Sequence, residues 1–271
     1  MSLPVTRNNH SIDKNTIGVI SDRYKMVTKA MNAEFYDSSS DTMHSLYVGS
    51  YGRGTAIDTS DLDIMVILPE DEYERYERYG NNGQSRLLQS VKEALKEPYP
   101  RSDIRADGQV VKINFSDGMR FEILPAFEQA LYGRTTYIYP DSNMGGNWLP
   151  TNPKVEQVAM REKDADSNHL LVDTCRHMRY VHSTFFSSYI LHGIVIDTFV
   201  YEALGSWHWP SPGTQGKPGG SYKYAKDMLD YWEHTSAACP VPLQAPGSND
   251  QVEIESSNEC LGKVLHKMAD E

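Results

Sequence analysis

The sequence predicts a two-lobed α+β fold: a mixed sheet with a long N-terminal helix, followed by a helical C-terminal lobe. Three features carry that expectation. Apolar residues recur at helical spacing from Ser11 to Tyr36, strand-like runs crowd the stretch from Ser45 to Leu124, and helical periodicity takes over from Lys154. At 271 residues and 39% hydrophobic content, the chain can fill one large core or two modest ones. A Gly, Pro, Asn and Asp-rich segment, Tyr132 to Pro153, reads as an irregular connector and divides the chain into lobes at residues 1–150 and 151–271.

The first helix has Ile17, Ile20, Tyr24, Val27 and Met31 among its apolar positions, with Ser11 and Asp13 available as caps. Leu46-Tyr47-Val48 is a short strand ending on Gly49-Ser50. Asp61 to Leu68 alternates acid and apolar residues and then becomes continuously apolar, as a central strand does, until Pro69 ends it. Gln84 to Glu97 is a helix with Leu87, Leu88, Val91 and Leu95 on one face. Val110–Phe115 and Arg120–Leu124 form a hairpin around Ser116-Asp117-Gly118, with Pro125 closing the second strand. Helices are expected at 155–168, 170–182, 187–204 and 222–234, with a Pro/Gly loop from Trp209 to Ser221. A last helix from Ser256 meets no stop signal before Glu271, which predicts that the natural chain continues.

Charge and cysteine usage exclude several function classes. Thirty-seven acidic against 26 basic residues give a net charge of −11, the wrong sign for a protein that coats a nucleic-acid backbone. Small anionic ligands stay allowed where divalent cations supply the compensating charge. Cys175, Cys239 and Cys260 show no metal or disulfide spacing, the N-terminus is polar, and the apolar run Phe185 to Leu204 is broken by His192, Asp197 and Glu202. These features predict a cytoplasmic protein with no membrane role.

The informative constellation is Gly49-Ser50, then Asp61-Leu62-Asp63, then Glu122. Strand side chains alternate, so Asp61 and Asp63 share a face while Leu62 turns away. Two carboxylates on one face repel each other unless a cation sits between them, and hard divalent ions suit such oxygens. Glu122, flanked by Phe121 and Ile123, would complete a two-metal site if its strand pairs beside Asp61–Leu68. Gly49 permits close backbone approach, and Ser50 offers a hydroxyl to a phosphate. Taken singly, each piece has an ordinary reading: a structural or solvated Asp pair, a turn and cap, a solvent-facing strand acid. Their order along one chain is what singles them out.

With these motifs the chain resembles the DNA polymerase beta-like nucleotidyltransferases. More narrowly it is similar to the bacterial cyclic GMP-AMP synthase/DncV-like enzymes, second-messenger oligonucleotide or dinucleotide synthases of anti-phage signalling. The residues that carry the likeness are Val48–Ile57, Ser60–Pro69, Asn82–Gln89, Asp107–Val111, Phe121–Phe127, Thr151–Pro153, Arg176–Tyr180 and Ser187–Ile190. The resemblance implies that Gly49 and Ser50 hold a donor triphosphate, and that Asp61, Asp63 and Glu122 are catalytic and bind two Mg²⁺ or Mn²⁺ ions. It further implies nucleotide contacts from Arg179, Ser188 and Tyr189, the last by stacking on a base. Two positions depart from the pattern: Glu122 replaces Asp, and Arg179 replaces Lys. On the residues alone, Arg179 reads equally well as a helix-surface cation and Tyr189 as a core aromatic.

The implied reaction joins nucleoside triphosphates into a cyclic di- or trinucleotide with release of pyrophosphate. ATP is the expected substrate, with GTP and pyrimidine triphosphates as further candidates. A separate effector would read the product, a regulatory protein is a further expected partner, and long nucleic acid is not. Two other readings remain open at this point: nucleotidyl transfer to a tRNA, protein or small molecule, and a non-catalytic nucleotide-binding regulator.

Overall fold

The computed structural model describes residues 2–59, 61–131 and 134–269. Ser60 of the quoted motif, Tyr132 at the start of the expected connector, and Asp270 and Glu271 at the end of the expected last helix lie outside the described residues. The chain divides into two compact units. A sheet unit comprises Asp13–Gly52 and Asp61–Asn152, and a helical unit comprises Met1–Ile12, Arg53–Ser60 and Pro153–Glu271.

In the sheet unit, α1 spans Lys14–Tyr36 and β1 spans Ser45–Tyr47. There follow α2 (Gly49–Gly52), β2 (Leu62–Leu68), α3 (Glu70–Glu77) and α4 (Gly83–Lys96). The remaining strands are β3 (Asp103–Asp107), β4 (Val110–Asn114), β5 (Arg120–Leu131), β6 (Arg134–Asp141) and β7 (Asn147–Thr151). Of the two candidate caps, Asp13 starts α1: its carboxylate accepts from the Asn15 and Thr16 amides at 2.8 and 3.1 Å. The helix buries Ile20, Val27 and Met31.

The strands form one mixed sheet in the order β1-β2-β5-β4-β3, with β6 paired to β5 and β7 to β6. β2 and β5 run parallel, and the other pairs are antiparallel. Central strands with no buried charge and a covering helix explain the core: Ile64, Ile123 and Phe127 are buried on one sheet face, and so are Leu87, Leu88, Val91 and Leu95 of α4, which packs against β3, β4, β5 and β6. That apolar face of α4 is the one the periodicity predicts.

Two expectations are overturned here. Pro125 does not close β5; the strand continues to Leu131. Arg120–Ile123 pair with β4 and Phe127–Leu131 with β6, so on that edge Pro125 falls where β5 has left one neighbour and not yet met the next. A missing N–H is tolerated in such a gap. Nor is the stretch to Pro153 an irregular connector, since it holds β6, the short turn Asn143–Gly145 and β7. Asn143, Gly145 and Gly146 sit in the turn between the two strands, while Tyr137, Ile138 and Tyr139 face Thr151, Pro150 and Leu149 in register.

The helical unit contains α5 (Pro153–Asp166), α6 (Leu170–Phe185), α7 (Gly193–Ala203), α8 (Tyr222–Thr235) and α9 (Glu255–Ala269). Two minimal ladders, β8 (Trp207–His208) with β9 (Lys217–Pro218) and β10 (Leu243–Gln244) with β11 (Gln251–Val252), brace the loops. Its core joins Leu171, Cys175 and Met178 of α6 to Phe199 and Val200 of α7, Tyr224 and Met228 of α8, and Leu261, Val264 and Leu265 of α9.

The units therefore follow residue order only in part. The main boundary falls at Asn152/Pro153, and the first 12 residues and residues 53–60 belong to the helical unit. Hydrogen bonds explain both departures. The Leu3 amide donates to the Lys267 carbonyl and the Asn8 amide to the Asp173 carboxylate, while Arg53 and Thr55 donate to Asp197.

Candidate active site

The acid-bearing face is built by β2 and β5. Their parallel register sets Leu62 against Phe121 and Asp63 against Glu122. Leu62, Ile64, Phe121 and Ile123 are buried, so Asp63 and Glu122, between them, project from the opposite face. Asp61 precedes β2 by one residue and Asp63 by two, which returns it to the same side. The bond from the Val48 amide to the Asp63 carbonyl, 2.9 Å, carries the pairing of β1 and β2 up to Gly49.

Gly49 opens α2 with φ +56°, and its backbone lies against the Asp63 carboxylate. A Cβ there would stand 1.8 Å from Asp63 Oδ2, so no other residue fits without moving that carboxylate. Ser50 follows in the same single turn, half-buried.

Two cations flank the acids. Arg120 Nε lies 2.9 Å from Asp61 Oδ1, and Lys112 Nζ lies 3.3 Å from Glu122 Oε1 and 2.7 Å from Asp107 Oδ2. Both follow from register: Lys112 is the cross-strand partner of Glu122, and Arg120 is two residues before it on the same strand face. The pairs are partly solvated, with Asp61 41% and Glu122 28% exposed at the side chain.

Arg179 of α6 belongs to the helical unit and is 7% exposed. Its guanidinium donates to Asp197 Oδ1 at 2.6 Å and to the Gly193 carbonyl at 2.9 Å. Asp197, wholly buried on α7, also accepts from Arg53 Nε at 2.8 Å and Thr55 Oγ1 at 2.9 Å. Burial by itself pushes the Asp197 carboxyl up, but Arg179 and Arg53 outweigh it and hold the group below its ordinary value. Glu156, 3.2 Å from Arg53, is shifted the other way because burial outweighs that single contact. The Arg179 fork is engaged by a buried carboxylate and a backbone carbonyl. Arg179 is not a surface cation.

Ser188 and Tyr189 lie before α7 and not within it, in the exposed segment that joins α6 to α7. The Tyr189 ring is 40% exposed, with Lys263 Nζ 4.7 Å from its centroid, so it is no core aromatic. His182 Nε2 donates to the Tyr189 carbonyl at 2.9 Å and fixes the segment's path.

The profile of the Second Messenger Oligonucleotide or Dinucleotide Synthetase (SMODS) domain matches residues 6–164, more than half of the chain. The chain belongs to this family. It is a nucleotidyltransferase of the kind the resemblance implied. A probable cyclic nucleotide synthase of Bacillus cereus (strain VD146), IK1_05630, is 24% identical, with 80% of this chain and 70% of that protein covered. Among solved structures, the Elizabethkingia meningoseptica CdnE cyclic dinucleotide synthase, determined with GTP and Apcpp, aligns with a TM-score of 0.64 at 13% identity, covering 91% of this chain and 89% of that one. The Bradyrhizobium diazoefficiens CdnG in complex with GTP aligns at 0.64 and 13%, over 100% and 86% of the two chains. The Vibrio cholerae dinucleotide cyclase DncV, as a double mutant, aligns at 0.63 and 10%, over 97% and 85%. These likenesses show that the synthetase has their mixed α+β fold.

Whether the synthetase's acids suit a divalent ion is a question of donors and placement. The donors are three carboxylates, the hard oxygen ligands that Mg²⁺ and Mn²⁺ take, and the register brings all three to one strand face. As they stand, the Asp61 and Glu122 side chains are turned toward Arg120 and Lys112, and among the described residues no three Asp, Glu, His or Cys groups converge at metal-holding spacing. The set fits in chemistry and in backbone position, and side-chain rotation away from the two cations is what it lacks.

Sequence reasoning missed Arg120, Lys112 and the Asp197 network. The alternation Arg120-Phe121-Glu122 already placed the first beside the acid; the others needed strand register and helix packing to be seen.

Proposed function

We propose that this synthetase joins nucleoside triphosphates into a cyclic di- or trinucleotide, in the cytoplasm, as an alarm signal in anti-phage defence read by a separate effector. The observation that carries the reading is the pairing of Asp63 with Glu122, with Asp61 on the same face and Gly49 pressed against Asp63. The named relatives support it too: IK1_05630 is described as a probable cyclic nucleotide synthase, and the CdnE and CdnG structures hold GTP.

In this reading Asp61, Asp63 and Glu122 would hold two Mg²⁺ or Mn²⁺ ions. When bound, such ions lower the incoming hydroxyl's pKa and offset charge on the entering and leaving oxygens. Ser50 orients the donor triphosphate through its hydroxyl, and Gly49 lets the chain approach it closely. A ribose oxygen of one nucleotide forms a bond to the α-phosphorus of another, its proton is released, and the α–β phosphoanhydride breaks to free pyrophosphate. A second round on the same molecule closes the ring. Ser188 and the exposed Tyr189 supply further nucleotide contacts.

The test is incubation with labelled ATP, GTP, CTP and UTP and Mg²⁺, with products resolved by mass spectrometry. A phosphatase-resistant nucleotide that disappears with Asp61→Asn/Asp63→Asn is the expected result. Label found only on macromolecule, or turnover unchanged in the double variant, overturns the reading.

A further inference from the structure

Away from the acid face, α3 and α4 enclose a groove of about 450 Å³ lined by Arg75, Tyr76, Tyr79, Arg86, Asn82 and Gln89, with Ser85 and Ser90 completing it. That volume lies within the roughly 300–1,000 Å³ of small-ligand sites. Its lining is unusual for this chain. The protein carries a net charge of −11, and α3 itself has Glu70, Asp71, Glu72, Glu74 and Glu77. Yet no acid is among the described residues that line the groove.

The two guanidiniums are held differently. Arg75 is clamped on both Glu72 oxygens at 3.1 and 3.2 Å, with its carbon 5.4 Å from the Tyr76 ring centroid. Arg86 has no carboxylate partner among the described residues, and rests 4.4 Å over the exposed ring of Tyr79. The floor is fixed: Tyr76 is buried, and its hydroxyl is bonded to Ser90 at 2.7 Å. Asn82, the residue just before α4, and Arg86 and Gln89 on α4 follow at spacings of four and three and add polar groups to the lining.

We propose that this groove is a second nucleotide site, separate from the catalytic face. The argument is complementary chemistry. A guanidinium with unused donors meets a phosphate with a matched fork. An exposed tyrosine ring beside it offers a stacking platform that any base can use. Carboxamides such as Asn82 and Gln89 pair a donor and an acceptor against a base edge, best of all adenine. A long nucleic acid is disfavoured by the −11 charge, because its affinity depends on many cationic contacts. The ligand class is therefore an adenine-bearing mononucleotide or short oligonucleotide, drawn from the cellular pool or from the protein's own products.

The test uses the full chain in EDTA, with AMP and linear pApA as probes, calorimetry for affinity and hydrogen–deuterium exchange for location. Protection over residues 75–90 is expected, with binding weakened about tenfold or more in Arg86→Met, where one charge-assisted contact is lost and no ion pair is broken. Arg75→Met/Arg86→Met should abolish it, Tyr79→Ala should weaken it, and Tyr79→Phe should keep it. Asp61→Asn/Asp63→Asn should bind both probes as the unaltered protein does, and Arg86→Met should keep basal nucleotide synthesis. Tighter AMP binding points to the cellular pool as the source and tighter pApA binding to the products, and either supports the site. Equal affinity in the arginine variants, protection confined to residues 49–63, loss of binding in the aspartate variant, or binding of single-stranded RNA alone overturns it. The arginine arm tests the groove and the aspartate arm the catalytic face, so one can fail without the other.

Discussion

Gly49 and Asp63 occupy each other's space so closely that a single methyl group on Gly49 would fall 1.8 Å from the Asp63 carboxylate. The glycine is therefore part of how the acid is aimed. Gly49→Ala must both strain a residue at φ +56° and push Asp63 off its position. The strain costs about 1–2 kcal/mol, and displacement of a catalytic group by about an ångström lowers turnover on the order of 100-fold. Gly18→Ala is the control, since nothing lies within 4 Å of a Cβ there and alanine favours its helix. Thermal unfolding and product formation, measured on both, should show loss of activity in Gly49→Ala beyond its loss of stability, and neither loss in Gly18→Ala.

Arg120 and Lys112 compete with any cation for the carboxylates they touch. Removing Arg120 as Arg120→Met frees Asp61, and Lys112→Met frees Glu122. Both pairs are partly solvated, so each contributes modestly, and Mn²⁺ affinity should rise roughly two- to fivefold per variant. Calorimetric titration with Mn²⁺, without nucleotide, measures this directly. Unchanged or weaker binding would mean that the two cations help to orient the acids for the ion and do not compete with it.

Much of this was legible before any coordinates. The central strand Leu62–Leu68, the helix face of Leu87, Leu88, Val91 and Leu95, and the shared face of Asp61 and Asp63 all follow from side-chain period, a local property. What failed was non-local. Pro125 reads as a strand end because proline lacks an N–H, and only the change of neighbour from β4 to β6 shows why a strand can run through it. Gly145 and Gly146 made a hairpin look like a linker. Arg179 and Asp197 are 18 residues apart on different helices, and no spacing rule joins them.

That buried pair has a measurable consequence. Asp197 accepts from Arg179, Arg53 and Thr55 at once, so Asp197→Ala leaves Arg179 without its carboxylate and Arg53 with Glu156. Stranding a buried charge costs about 3–5 kcal/mol. Arg179→Lys keeps the charge but loses the fork that reaches both Asp197 and the Gly193 carbonyl, and should cost less. Denaturant unfolding checks both. If Arg179 is structural, the folded fraction of Arg179→Lys keeps its nucleotide KM; a rise in KM alone, at unchanged stability, would return Arg179 to the nucleotide site.

The N-terminal segment is tied down by a histidine that cannot carry charge comfortably. His177 Nε2 donates to the Leu3 carbonyl at 2.9 Å, and its Nδ1 faces His10 Nε2 at 3.4 Å. Burial pushes His177 down to about 4 from 6.5, the nearby His10 adds to this, and the bond to Leu3 opposes it. Between those two values the unfolded chain binds a proton that the folded chain refuses. Stability present above pH 6.5 is therefore lost as pH falls toward 4, by about 3 kcal/mol at most. His10 is also held down by burial and acts in the same direction. His177→Gln can still donate to Leu3 and does not titrate. Unfolding midpoints measured from pH 7 to 4 should fall steeply for the unaltered protein and more gently for the variant; parallel curves would place the acid sensitivity in other groups.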